Sequence, residues 1–115
     1  MPHLKISSII GSDIAVSTSD GEIVFSELSR SLKEKNKVTL DFKGISILTT
    51  AFLNAAIGQL YSGETYPDNF LNEHLKIINV RDIDTPLFSL VINRAKEYYQ
   101  NKKNLEESVN TAFHG

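Results

Sequence analysis

Val38 to Tyr61 reads VTLDFKGISILTTAFLNAAIGQLY, and this stretch constrains the fold more than any other. Val38, Leu40 and Phe42 alternate with Thr39 and Asp41, the period of a strand with one face in a core. Gly44 supplies a turn, Ile45 and Ile47 are expected to pack on the core, and Thr49 or Thr50 is placed to cap a helix. From Ala51 to Tyr61 there is no charged residue. That helix is therefore expected to be largely buried or to face a partner. Its small residues Ala55, Ala56 and Gly58 allow a neighbouring backbone to come close. A strand feeding directly into a helix is the building unit of α/β domains, and such strand ends are where these folds place chemistry or contacts.

The rest of the chain is read around this unit. Residues 4–10 and 13–18 are β-branched runs separated by Gly11-Ser12, which predicts an N-terminal hairpin. Ile9-Ile10 breaks the alternation there. Ser19 and Glu22 have capping-box spacing for a helix carrying Val24, Leu28 and Leu32 on one face. Ser62 to Glu73 reads as a loop, and Leu75 to Val80 as a last core strand. Asp82 and Asp84 precede Pro86 and a helix that runs to about Tyr99. The expected architecture is a small single α/β domain. Its sheet is mixed, with about four strands: the hairpin plus two crossover strands. About three helices complete it. Residues 1–100 form the domain, and 101–115 are a polar extension of the last helix or a tail.

With 115 residues, a single core suffices without disulfides or metals. The chain has no cysteine, which excludes thiolate nucleophiles and zinc–thiolate sites. A net charge of −2 gives no general attraction to nucleic acid or anionic lipid. No apolar run approaches the roughly 20 residues that span a bilayer, and no signal peptide is visible. A cytoplasmic location is the expectation, with neither nucleic acid nor membrane as partner.

Few residues offer chemistry. His3, His74 and His114 are far apart in sequence, and none has a second ligand at close spacing, so no metal site is expected. Asp82 and Asp84 read as caps before a helix. There is no Gly-rich phosphate loop and no nucleophile elbow. Tyr98-Tyr99 with Lys102-Lys103 reads as a helix end with solvated lysines. Asp41 is expected to hydrogen-bond nearby backbone at its strand end. No catalytic residue and no cofactor is assigned.

The pattern Leu40-Asp41-Phe42, Gly44-Ile45, Leu48-Thr49-Thr50-Ala51-Phe52-Leu53-Asn54, with Gly58 in the helix, resembles the STAS-like family of bacterial proteins (the DUF4325 type). That family is related to the anti-sigma factor antagonist (STAS) domains. Ile77-Ile78-Asn79-Val80 and Leu90-Val91-Ile92-Asn93-Arg94-Ala95 add to the likeness, which covers most of residues 5–99. The resemblance implies a non-enzymatic, regulatory protein-interaction module. It places Thr50 at the position where antagonists carry a phosphorylated serine or threonine, with Thr49 standing where an acidic residue commonly precedes it. Asp41, Thr49, Thr50, Phe52 and Asn54 are the implied partner-binding or phosphosite residues. A histidine-kinase-like ATPase is the implied partner class. Two other readings stand beside this one. The same strand-to-helix crevice suits a small ligand binder or enzyme using Asp41, Thr49 and Thr50. The uncharged Ala51–Tyr61 helix suits an interface in a homo-oligomer or a larger assembly.

Overall fold

A computed structural model describes residues 2–61 and 66–114. Its elements follow in chain order as β1 (His3–Lys5), α1 (Ile6–Ile10), β2 (Ile14–Ala15), α2 (Thr18–Lys33), β3 (Val38–Asp41) and β4 (Ile47–Leu48). Then come α3 (Thr50–Leu53), a π-helical turn (Asn54–Gly58), α4 (Gln59–Tyr61), α5 (Asp68–His74), β5 (Leu75–Ile78), a 3-10 turn (Asp82–Asp84) and α6 (Thr85–His114). The α/β class expected from sequence is the class observed. The topology of its N-terminal third is different.

No hairpin forms there. β1 pairs with β3, and β3 with β5, all parallel, in the order β1-β3-β5; β2 pairs separately with β4, also parallel. The sheets are therefore parallel rather than mixed. Ile6, Ile9 and Ile10 recur at helical spacing, and they form α1 instead of extending a strand. Gly11 adopts φ +68 and caps that helix, its N–H reaching the Ser7 carbonyl. The left-handed glycine expected of a hairpin is present, but it ends a helix. Helix α2 starts earlier than its Ser19–Glu22 spacing suggested. Ser17 is the N-cap, its hydroxyl accepting from the Asp20 N–H at 3.1 Å. The segment expected as a loop from Ser62 contains α5 in its second half; residues 62–65 lie outside the described residues.

One face of the three-stranded sheet carries Val38, Leu40 and Ile77 into the core, where Val24, Leu28 and Leu32 of α2 meet Phe52, Leu53, Ala56 and Ile57. Contact between α2 and the Thr50–Tyr61 helix is unusually close at one point. A Cβ added to Gly21 would lie 2.5 Å from the Phe52 carbonyl oxygen and 2.7 Å from the Ala55 Cβ. The small residues of the helix thus accept the backbone of α2, as their size suggested. Helix α6 packs across α3, the π turn and α4. Its first turn is tied to the end of β3 by an edge-to-face contact between Phe42 and Phe88, ring centroids 5.1 Å apart.

Candidate functional site

The connection from β3 to α3 is built by three successive devices. Phe42 to Ile45 is a tight turn, closed by the Ile45 N–H on the Phe42 carbonyl at 3.1 Å, with Gly44 at φ +86. The chain then meets β2. Asp13 accepts from the Ser46 N–H at 2.8 Å and from the Ser46 hydroxyl at 2.7 Å. Ile14 lies opposite Ile47, and Ala15 opposite Leu48. Finally, Thr49 caps the helix: its Oγ1 accepts from the Phe52 N–H at 3.3 Å and donates to the Val16 carbonyl at 2.8 Å.

The two threonines thus differ in what their hydroxyls do. Thr49 is spent inside the fold, capping α3 and tying it to β2. The Thr50 side chain has no hydrogen-bond partner among the described residues and sits half-buried in the first turn. Side chains alternate along β2 and β4, so Ala15 and Leu48 point into the core while Ile14 and Ile47 point out. Ile14 is 42% exposed, Ile47 50% and Val16 36%. Ile47, expected in the core with Ile45, instead joins this outward apolar face; Ile45 is buried.

Asp41 is buried at the C-terminal end of β3 and binds three donors. These are Asn79 Nδ2 at 2.8 Å, the Lys43 N–H at 2.9 Å and His3 Nε2 at 2.8 Å. Burial by itself would push the carboxyl up. The bonds from Asn79, Lys43 and His3, with the His3 charge, outweigh it and bring the pKa down from 3.8 to about 2. Asn79 takes the left-handed conformation at φ 59, which turns its amide back toward Asp41. Asp41 therefore ties the C-terminal end of β3 to the first residue of β1 and to the residue that follows β5. Lys43 supplies the nearby backbone bond expected of Asp41. The long-range partners His3 and Asn79 had no local signal.

The five candidate residues do not converge on one point. Phe52 is fully buried in the core. Asn54 is exposed, four residues beyond Thr50 on the same helix, and it lines an open groove with Gly58, Gln59, Arg94, Ala95 and Tyr98. A second open groove, lined by Lys37, Val38 and residues 72–76, lies at the opposite end of β3 and β5. Asp41, Thr49 and Thr50 line neither groove. Asp84 is buried and held by Arg81 Nε at 2.8 Å. Among the described residues no cluster of three or more His, Cys, Asp or Glu side chains is placed to hold a metal ion, and no helix is long and apolar enough to cross a membrane.

The family model described as a STAS-like domain of unknown function (DUF4325) matches residues 20–85. No curated protein and no solved structure matches the chain. This chain belongs to the STAS-like family.

Proposed function

We propose that this STAS-like chain is a non-enzymatic regulatory module that docks a protein partner through the helix start at Thr49–Asn54, with Thr50 as a phosphorylation switch. The observation that carries this reading is the division of labour between the two threonines. Thr49 is committed to the fold, and Thr50 next to it offers a hydroxyl with no intramolecular partner among the described residues. Phosphate on Thr50 would sit at the N-terminus of a helical run continuing to Tyr61, where unpaired N–H groups and the dipole favour negative charge.

The setting fits a docking surface better than a reaction centre. Ile14, Val16 and Ile47 present an apolar face beside the helix start, the sort of surface a protein partner covers. Asp41, the polar group that a crevice enzyme would use, is buried and already bonded to three donors. A histidine-kinase-like ATPase is the partner class to test first, on the family resemblance. The test is affinity capture with mass spectrometry, comparing wild type with Thr50→Glu. A partner held by wild type and lost by Thr50→Glu supports the reading. Identical capture by both proteins contradicts it.

A further inference from the structure

Arg94 and Tyr98 stand one turn apart on α6 and, with Ala95, form one wall of the groove whose other wall is Asn54, Gly58 and Gln59. The groove holds about 250 Å³. Cofactor and small-ligand pockets run from about 300 to 1,000 Å³, so this space suits one or two side chains of a larger molecule. Gly58 lines it with backbone alone. A Cβ there would come within 3.5 Å of Asn54 Oδ1 and 3.4 Å of Val91 Cγ1.

Three groups in this groove are unpaired. Among the described residues, the Asn54 amide, the Arg94 guanidinium and the Tyr98 hydroxyl have no hydrogen bond or ion pair. Gln59 is different: its Nε2 donates to the Ala55 carbonyl of the π turn at 2.8 Å. The free groups are mostly donors. A guanidinium has five N–H bonds and no acceptor, an amide NH₂ has two, and a phenol has one. No carboxylate among the described residues lines the groove to satisfy them. Tyr98, 62% exposed, adds an aromatic platform to the same wall as Arg94, and Arg and Tyr, with Trp, are enriched among the side chains that anchor interfaces.

We infer that this groove takes an acidic side chain, Glu or Asp, from an extended segment of the protein partner. The carboxylate pairs with Arg94 and accepts from Asn54 Nδ2 and the Tyr98 hydroxyl. The one cation among the groove's described residues, Arg94, is too little for a nucleic-acid backbone, which needs many. The inference rests on the docking reading above, because Asn54 and Thr50 are spaced to share one helix face. The partner surface then runs from the helix start into the groove.

The test needs no natural partner. Isotope-labelled protein is titrated with the capped tripeptide Leu-Glu-Leu, its Leu-Gln-Leu counterpart and acetate, and observed by NMR. The Glu peptide should give saturable shifts at the Asn54 side-chain amide, the Gly58 N–H and Arg94 Nε. Affinity should drop roughly tenfold or more with the Gln peptide, and likewise with the Arg94→Gln protein. Arg94 is exposed, so that variant keeps its fold, which spectral dispersion verifies. Equal binding of the two peptides, no effect of Arg94→Gln, or no saturation overturns the inference. Acetate binding as tightly as the Glu peptide also overturns it, since the site then serves a small anion. Partner capture by wild type and Thr50→Glu is a separate readout, so failure of the groove and failure of the docking reading are told apart.

Discussion

The hydroxyl of Thr49 donates to the Val16 carbonyl at 2.8 Å, a bond that joins the start of α3 to the end of β2 across 33 residues of sequence. The same oxygen caps the helix at Phe52. Thr49→Ala removes both bonds and leaves the Val16 carbonyl without that donor. Caps and single hydrogen bonds of this kind predict a loss of about 1–3 kcal/mol. Thr50→Ala, which breaks no bond among the described residues, should stay within about 0.5 kcal/mol of wild type. Urea unfolding of the two variants checks the contrast, and equal losses would show that the threonines share the capping role.

Gly21 and Gly58 make opposite predictions. The Phe52 carbonyl oxygen that a Cβ at Gly21 would meet at 2.5 Å is backbone and has little room to move. Gly21→Ala should cost about 1–3 kcal/mol through overpacking, despite the better helix propensity of alanine. At Gly58 the nearest neighbours of such a Cβ lie at 3.4 Å or beyond, ordinary contact distance. Gly58→Ala should be neutral or stabilising by up to about 1 kcal/mol. Thermal unfolding of both variants measures this.

Asp41 predicts a particular acid sensitivity. Its carboxyl titrates at about 2 in the folded chain against 3.8 unfolded. The unfolded state therefore binds the proton first as pH falls. The stabilisation is fully present above the unfolded value and is lost as pH drops from about 3.8 toward about 2. Asp41→Asn should lower stability at neutral pH and flatten the dependence across that window. Unfolding curves collected between pH 5 and about pH 2 test it; an unchanged slope in the variant would assign the acid sensitivity to other carboxyls.

The central unit was legible in the sequence because its local signals agree. Strand alternation at Val38–Phe42, the turn glycine at 44 and a threonine cap at 49 or 50 each point the same way; the strand and turn are observed, and the cap is Thr49. The N-terminal third was not legible, because its signals conflict. Ile6, Ile9 and Ile10 are β-branched, which argues strand, yet their spacing is helical. Gly11 needs a positive φ in either reading. Long-range pairing decides between them: β1 joins β3 in one sheet and β2 joins β4 in the other, so β1 and β2 are not partners and form no hairpin. The same limit hid His3 and Asn79 as partners of Asp41, each 38 residues away. It also hid the groove, since Asn54 and Arg94 meet only once α6 crosses the π turn.

Ile14 and Ile47 face each other across β2 and β4 with their side chains outward. If this face is covered by the partner, Ile47→Asp should weaken partner capture tenfold or more, on the order of the loss seen at interface anchors. The cost to folding should be under about 1 kcal/mol, since the residue is half exposed. Capture at wild-type strength by a folded Ile47→Asp protein would remove this face from the interface.

The docking account is tested most directly by the affinity of the captured partner for three purified proteins: wild type, Thr50→Ala and Thr50→Glu. The account predicts similar dissociation constants for wild type and Thr50→Ala, and at least tenfold weaker binding for Thr50→Glu, with all three equally folded. Equal affinity for Thr50→Glu and wild type would contradict it.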